Sequence, residues 1–172
     1  MTKALIVCSS VHHHNTARVA AAIAGPLEAL ILPTEEATPD VLRAHDLLGL
    51  GSGIYYGGVH PDMLHWVRSL PAAAGEGRRA FVFTTSGLPW LARLWIRPVK
   101  AAVARAGFRV AGEFHCRGFD TWGPLGLVGG INHGHPDARD LERAAMFGRS
   151  LVAAAPPAGS TGGAIPRDCK GR

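Results

Sequence analysis

Five short apolar runs, each followed by a stretch with helical spacing or a helix-start signal, constrain this chain more than any other feature. Residues 3–8, 29–32, 46–51, 80–84 and 109–115 read as short strands, the first buried on both faces and the third buried as well. Between them, residues 16–27 repeat apolar positions at Val19, Ala20, Ile23, Ala24 and Leu27, and Gly25-Pro26 predicts the helix end. Thr38-Pro39-Asp40 starts a second helix, and His60-Pro61 opens a third running to Leu70 with Leu64, Val67 and Leu70 on one face. Residues 91–106 predict a fourth that Pro98 kinks or restarts. Residues 137–152 predict the last, with Leu141, Ala145, Gly148 and Val152 on one face. Such alternation argues for an α/β fold, a doubly wound five-stranded parallel sheet with helices on both faces and right-handed crossovers. Its ligand belongs outside the carboxyl ends of the strands, where strand order reverses.

Composition narrows the class. The chain has 172 residues, one domain's worth, of which 47% are apolar and 18% charged, against disorder. Residues 1–154 read as that domain, and the Gly/Pro-rich stretch 155–172 as a disordered tail. Cys8, Cys116 and Cys169 are too few for a disulfide framework, and without CxxC neither a zinc ribbon nor a thioredoxin-type pair is expected. No stretch reaches the roughly 20 apolar residues of a membrane-spanning helix, and residues 4–8 are too short for a signal peptide's core. Cytoplasmic residence is the expectation. The net charge is +5, but the arginines are scattered, so nucleic-acid binding is not expected.

Three strand-to-helix loops depart from ordinary turn chemistry. The first holds Ser9, Ser10, His12, His13, His14, Asn15 and Thr16 ahead of a helix N-terminus. Exposed N–H groups and the helix dipole favour an anion there, and the hydroxyls and amide add donors for phosphate oxygens. It is neither a Walker A loop nor GxGxxG, and a Ser or Asn that merely caps the helix is the plain alternative. Three consecutive histidines on a tight loop do not converge on one ion, so no metal is expected. The second loop holds Ser52, Gly53, Tyr55 and Tyr56, where glycines admit a flat ligand and an aromatic face stacks on it. The alternative there is a tyrosine pair packing on the next helix. The third, Thr84, Thr85, Ser86 and Gly87, offers hydroxyls and a glycine at the same sheet edge. Together they suit a planar phosphate ester. In the long loop before the last helix, His133 and His135 flank Gly134, and Asp120 is a carboxylate of open role.

Ser10-Val-His-His-His-Asn-Thr16 after the first strand resembles the phosphate loop of the flavodoxin-like FMN-binding family, commonly SxTGNT. Residues 51–55, 84–89, 118–121 and 129–136 resemble the flavin loops and downstream segment of its flavodoxin-domain branch, so the resemblance covers residues 3–152. It implies a sheet of order 2-1-3-4-5 and noncovalent FMN. Ser10, Asn15 and Thr16, helped by Ser9, would hold the phosphate. Tyr55 and Tyr56 would flank the ring or ribityl chain, and Thr85, Ser86 and Gly87 would meet the ring's polar edge through backbone groups. Two departures stand out: the loop is one residue longer, and His14 takes the place of the motif's glycine, where a positive φ would be strained.

An FMN protein of this type is expected either to act on a small molecule as an oxidoreductase, with NAD(P)H or a redox partner as electron source, or to be a one-electron carrier. Carriers of the family are strongly acidic; a +5 chain with Trp90, Trp95 and Trp122 near the flavin edge leans to the oxidoreductase. The tryptophans equally suit a homodimer interface. A third reading keeps the pocket without the flavin, its histidines serving as acid or base.

Overall fold

The computed structural model describes residues 3–10, 14–119 and 130–154. Strands β1 (Ala4–Ser9), β2 (Leu30–Leu32), β3 (Leu47–Tyr55), β4 (Gly58–Val59), β5 (Arg79–Ser86) and β6 (Arg109–Arg117) form one six-stranded sheet. Its order is β2-β1-β3-β5-β6, all parallel, with β4 paired antiparallel to the end of β3. The five parallel strands thus follow the expected order, and β4 is an addition. The helices are α1 (Asn15–Leu27), α2 (Pro39–Arg43), α3 (Pro61–Ser69), α4 (Ala92–Trp95), α5 (Arg97–Arg105) and α6 (Ala138–Ala153).

The inner strands β1, β3 and β5 are buried on both faces because their side chains alternate between two apolar layers, while the outer strands β2 and β6 are partly exposed. Leu5, Val7, Leu48, Leu50, Ala80 and Val82 meet Met63 and Val67 of α3 and Val99 and Val103 of α5. Ala4, Ile6, Leu47, Phe81, Phe83 and Phe114 meet Val19, Ala20 and Ile23 of α1 and Ala144 and Leu151 of α6. Each fully buried Leu, Ile or Phe among them is worth about 1.5–3 kcal/mol relative to exposure. The two layers therefore fix the register of every strand against a one-residue slip.

The central strand carries glycine at three alternate positions facing α1 and α6. A Cβ at Gly49 would lie 2.4 Å from the Phe81 ring, one at Gly51 2.1 Å from the Phe83 ring, and one at Gly53 2.7 Å from the Tyr55 hydroxyl. The aromatic rings fill the space the glycines leave. On the same side, a Cβ at Gly148 of α6 would sit 2.6 Å from the Ile23 carbonyl oxygen, so the glycine lets α1 and α6 pack at backbone distance.

Several expectations shift by physical necessity. Gly25 and Pro26 lie inside the last turn of α1, and the helix ends one residue later, where Glu28 turns left-handed (φ 49°) and the Ala29 N–H donates to Ala24 O at 3.1 Å. Residues 51–58 do not form a loop. The strand runs on to Tyr55, and Tyr56 (φ 52°) and Gly57 (φ 74°) make a two-residue turn into β4. The stretch 91–106 is a 3₁₀ turn and two helices, with Pro98 restarting the helix near the beginning of α5. The buried face of α6 is Asp140, Ala144, Gly148 and Leu151, one step from the expected one, and Val152 is half exposed. Residues 120–129, the tail 155–172, and His12 and His13 lie outside the described residues.

Because Phe83 is fully buried, its ring has nowhere to retreat. Gly51→Ala is expected to destabilise the fold by about 1–3 kcal/mol through overpacking. Urea titration would read this as a lower midpoint with an unchanged slope.

Candidate functional site

The carboxyl ends of β1, β3, β5 and β6 lie along one edge of the sheet, and polar side chains lace their loops together. At the β1–α1 loop, His14 is left-handed (φ 51°, ψ 20°), and its side chain makes no capping bond to α1. This left-handed conformation costs an L-residue about 1–2 kcal/mol. Ser10 Oγ accepts the Ala17 N–H at 3.3 Å, so a serine does cap this helix. The first turn thereby presents a donor to an oxygen at that point.

Asn15 and Thr16, expected to face an anion, both turn inward and are buried. Asn15 Nδ2 donates to Phe119 O at 2.9 Å, and Thr16 Oγ1 shares a hydrogen bond with Thr85 Oγ1 at 2.9 Å across the bare face of β3. Gly118 is wedged between them, since a Cβ there would meet Asn15 Nδ2 at 3.1 Å and Thr85 Cβ at 3.2 Å. Asn132, itself left-handed (φ 58°), donates to Gly87 O at 3.1 Å and Gly118 O at 3.4 Å. The loops after β1, β5 and β6 are one hydrogen-bonded unit.

At the end of β3, Ser52 and Tyr55 both reach the start of α3. Ser52 Oγ donates to Gly53 O at 2.7 Å and accepts the His60 N–H at 2.9 Å, anchoring the hairpin to the start of α3. Tyr55 meets the His60 ring edge-on, with centroids 5.4 Å apart, so one tyrosine of the pair packs at the start of α3. Tyr56 at the tip is 81% exposed. Trp90, just beyond the β5 loop, is 69% exposed.

Ser9, Ser10 and His14 line a cavity of about 340 Å³ together with Cys8, Leu32, Glu35 and Asp62. Among the described residues, Ser86 Oγ is buried at the end of β5 without a hydrogen-bond partner. A buried hydroxyl left unpaired costs roughly 1–3 kcal/mol, so it marks a place where a ligand atom is missing or a strain is tolerated.

Thr84 points to the other face of the sheet. Its Oγ1 bonds His115 Nδ1 at 2.9 Å, while His115 Nε2 lies 3.6 Å from Glu113 Oε2, and Glu113 pairs closely with Lys100. Burial holds the His115 imidazole below its ordinary 6.5, and the neighbouring Glu113 only partly opposes this. Burial also pushes the Cys8 and Cys116 thiols up to about 12, so neither is a thiolate nucleophile. His135 Nδ1 lies 2.6 Å from Asp140 Oδ2, and Asp137 and Asp140 cap α6 reciprocally. These three side chains are close enough together to hold an ion, but the capping bonds account for the carboxylates.

Sequence reasoning missed Asn132 and His115. Asn132 follows Gly130-Ile in a segment where a left-handed residue was needed, and Asn is the commonest non-glycine choice. His115 sits between the apolar Phe114 and Cys116 in β6, and a histidine in that setting is itself a signal.

No family model matches the chain. Among solved structures, oxidised flavodoxin 1 from Bacillus cereus superposes with a TM-score of 0.65 at 16% identity, covering 90% of this chain and 100% of that one. The flavodoxin, WrbA-like protein from Agrobacterium tumefaciens gives 0.64 at 18%, over 89% and 96%. The NADH:FMN oxidoreductase EMOB, in its apo form, gives 0.58 at 15%, over 91% and 92%. The fold is that of the flavodoxin-like proteins. The uncharacterized protein MJ0298 of Methanocaldococcus jannaschii is 35% identical over 150 residues, which span 87% of this chain and 98% of the relative, and the chain belongs to its family. Among the described residues no helix is long and apolar enough to cross a membrane.

His115 supplies a pH signature. Its folded state resists protonation, so as pH falls below 6.5 the unfolded chain takes up a proton first. The His115 contribution to stability is complete above pH 6.5 and declines as pH drops toward the lower folded value. His115→Asn, which keeps a polar partner for Thr84, is expected to flatten the stability slope below pH 6.5. Urea midpoints between pH 5 and 7.5 measure it.

Proposed function

We propose that the chain binds FMN at the carboxyl edge of its sheet and uses it as an oxidoreductase acting on a small molecule. The observation that carries this reading is the hydrogen-bonded convergence of the β1, β5 and β6 loops, through Thr16–Thr85, Asn15–Phe119 and Asn132–Gly87, beside the N-terminus of α1. A rigid, polar, concave edge at the switch of strand order is the placement an α/β sheet reserves for a ligand. The flavodoxin fold and the FMN oxidoreductase among the structural neighbours support the choice of group.

The residues present fit that group. The α1 N-terminus, Ser9, Ser10 and His14 would hold the phosphate, with Asn15 and Thr16 fixing the loop from behind. The exposed Tyr56 ring would cover one face of the isoalloxazine. Backbone groups of Thr85, Ser86 and Gly87 would meet its polar edge, and the orphaned Ser86 hydroxyl would gain a partner. FMN supplies the hydride or electron chemistry. The chain's own part is to bind and orient it and to limit water at its edge. The buried Thr84–His115 pair lies behind β5, where it holds one neutral imidazole in place.

NAD(P)H or a redox partner would supply the electrons. The +5 charge favours the oxidoreductase over a carrier of the acidic type. Localisation in the cytoplasm and self-association as a homodimer remain part of the proposal.

Visible absorption of the purified chain, with FMN added and then removed by desalting, tests the reading. Retained flavin bands are expected, and Ser10→Ala should weaken FMN by roughly 10- to 150-fold, the worth of one hydrogen bond to a charged group, about 1.5–3 kcal/mol. Glu35→Gln removes a carboxylate from the phosphate cavity and should tighten FMN about two- to fivefold. Bleaching by NAD(P)H without air marks the oxidoreductase, and its absence the carrier. No retained flavin in any form overturns the proposal and leaves the flavin-free reading.

A further inference from the structure

A second polar groove lies off the carboxyl edge, between the outer strand β6 and helices α4 and α5. It encloses about 630 Å³ and is lined by Arg93, Arg97 and Lys100 on one wall and by residues 110–113 on the other. Among the described residues, two of its three cations are unpaired. Glu113 is the one carboxylate lining it, and Lys100 already pairs with Glu113. Among the described residues neither Arg93 nor Arg97 has an ion-pair partner. A single-domain surface usually intersperses its charges, so two unpaired arginines converging on a concavity need a reason.

The floor is also irregular. Register passes from Ala80–Val110 to Phe81–Gly112, so Ala111 is an extra residue without a partner on β5. A bulge in an edge strand re-aims the backbone and is common beside binding sites. The three cations stand at positions 93, 97 and 100, and the Ile96 N–H to Ala92 O and Lys100 N–H to Ile96 O bonds carry the helical turn across the break between α4 and α5. At helical rise the row spans roughly 10 Å. One phosphate meets at most two of them, whereas an extended polyanion meets all three. Arginine's planar fork suits phosphate oxygens in particular.

We propose that this groove binds the diphosphate of a nucleotide, held by Arg93 and Arg97 with Lys100 at its end. A second copy of the chain is the poorer occupant, because a twofold interface sets a patch against itself and these cations would face one another. The groove lies away from the β1–α1 loop, so the inference stands whether or not FMN binds there.

The test is titration calorimetry on the full chain with ADP, AMP, inorganic pyrophosphate and NADP⁺, repeated with FMN present. ADP and pyrophosphate are expected to bind in a salt-sensitive way, and AMP to bind more weakly. Arg93→Glu with Arg97→Glu should weaken ADP at least tenfold, while Arg139→Glu with Arg149→Glu, an equal charge change on α6, should not. Both groove arginines are exposed, and Arg97→Ala serves as a milder second variant should the double reversal melt early. NADP⁺ tighter than ADP identifies a dinucleotide as the source of the diphosphate, and equal affinity a mononucleotide; either supports the proposal. Four results would overturn it: no saturable binding, binding indifferent to the Arg93/Arg97 changes, displacement of ADP by FMN, or binding of polyglutamate but of no nucleotide, which would mark a protein-docking face.

Discussion

The column of glycines on the central strand governs how the carboxyl edge is built. With no side chains at Gly49, Gly51 and Gly53, the face of β3 toward α1 and α6 is open to the rings of Phe81, Phe83 and Tyr55. Beyond those rings Thr16 of α1 reaches over β3 to Thr85 of β5. A Cβ at Gly51 would collide with the buried Phe83 ring, which packs in the same layer as Val19, Ala20 and Ile23 of α1. Packing in the core and polarity at the edge are thus one arrangement.

From that tie the rest follows by accounting for backbone and side-chain partners. Asn15 closes on Phe119, Gly118 fits between Asn15 and Thr85 because it lacks a Cβ, and Asn132 bridges Gly87 and Gly118. Each such buried bond nets only about 0.5–1.5 kcal/mol, too little to dominate a core of fully buried Leu, Ile and Phe. Their value lies in fixing three loops relative to one another before any ligand arrives. A preorganised edge loses less freedom on binding, which is where affinity is gained.

Much of the fold was legible because buried parallel strands write themselves as short unbroken apolar runs. The starts of α2 at Thr38-Pro39 and α3 at His60-Pro61 were readable for the same kind of local reason, whereas the order of the five parallel strands came from the family resemblance. The hairpin at Tyr55–Gly58 was not, because glycines that pack under aromatic rings look in sequence like glycines of a loop. Nor does sequence alone tell an inward Asn15 or Thr16 from an outward one, since the choice depends on which carbonyl or hydroxyl a distant loop presents. Thr84 and Thr85 show the same limit: adjacent in the chain, they face opposite sides of the sheet and serve His115 and Thr16 respectively. His14 was readable as a departure from the loop motif, and its own backbone is left-handed.

Amide hydrogen exchange with and without FMN tests the central claim most directly, because it reports where a ligand acts along the chain. The account predicts that FMN slows exchange at residues 14–17, 56–58 and 85–88 together, with the ends of β1 and β5 protected in the same experiment. Protection confined to other segments, or none at saturating FMN, would contradict it.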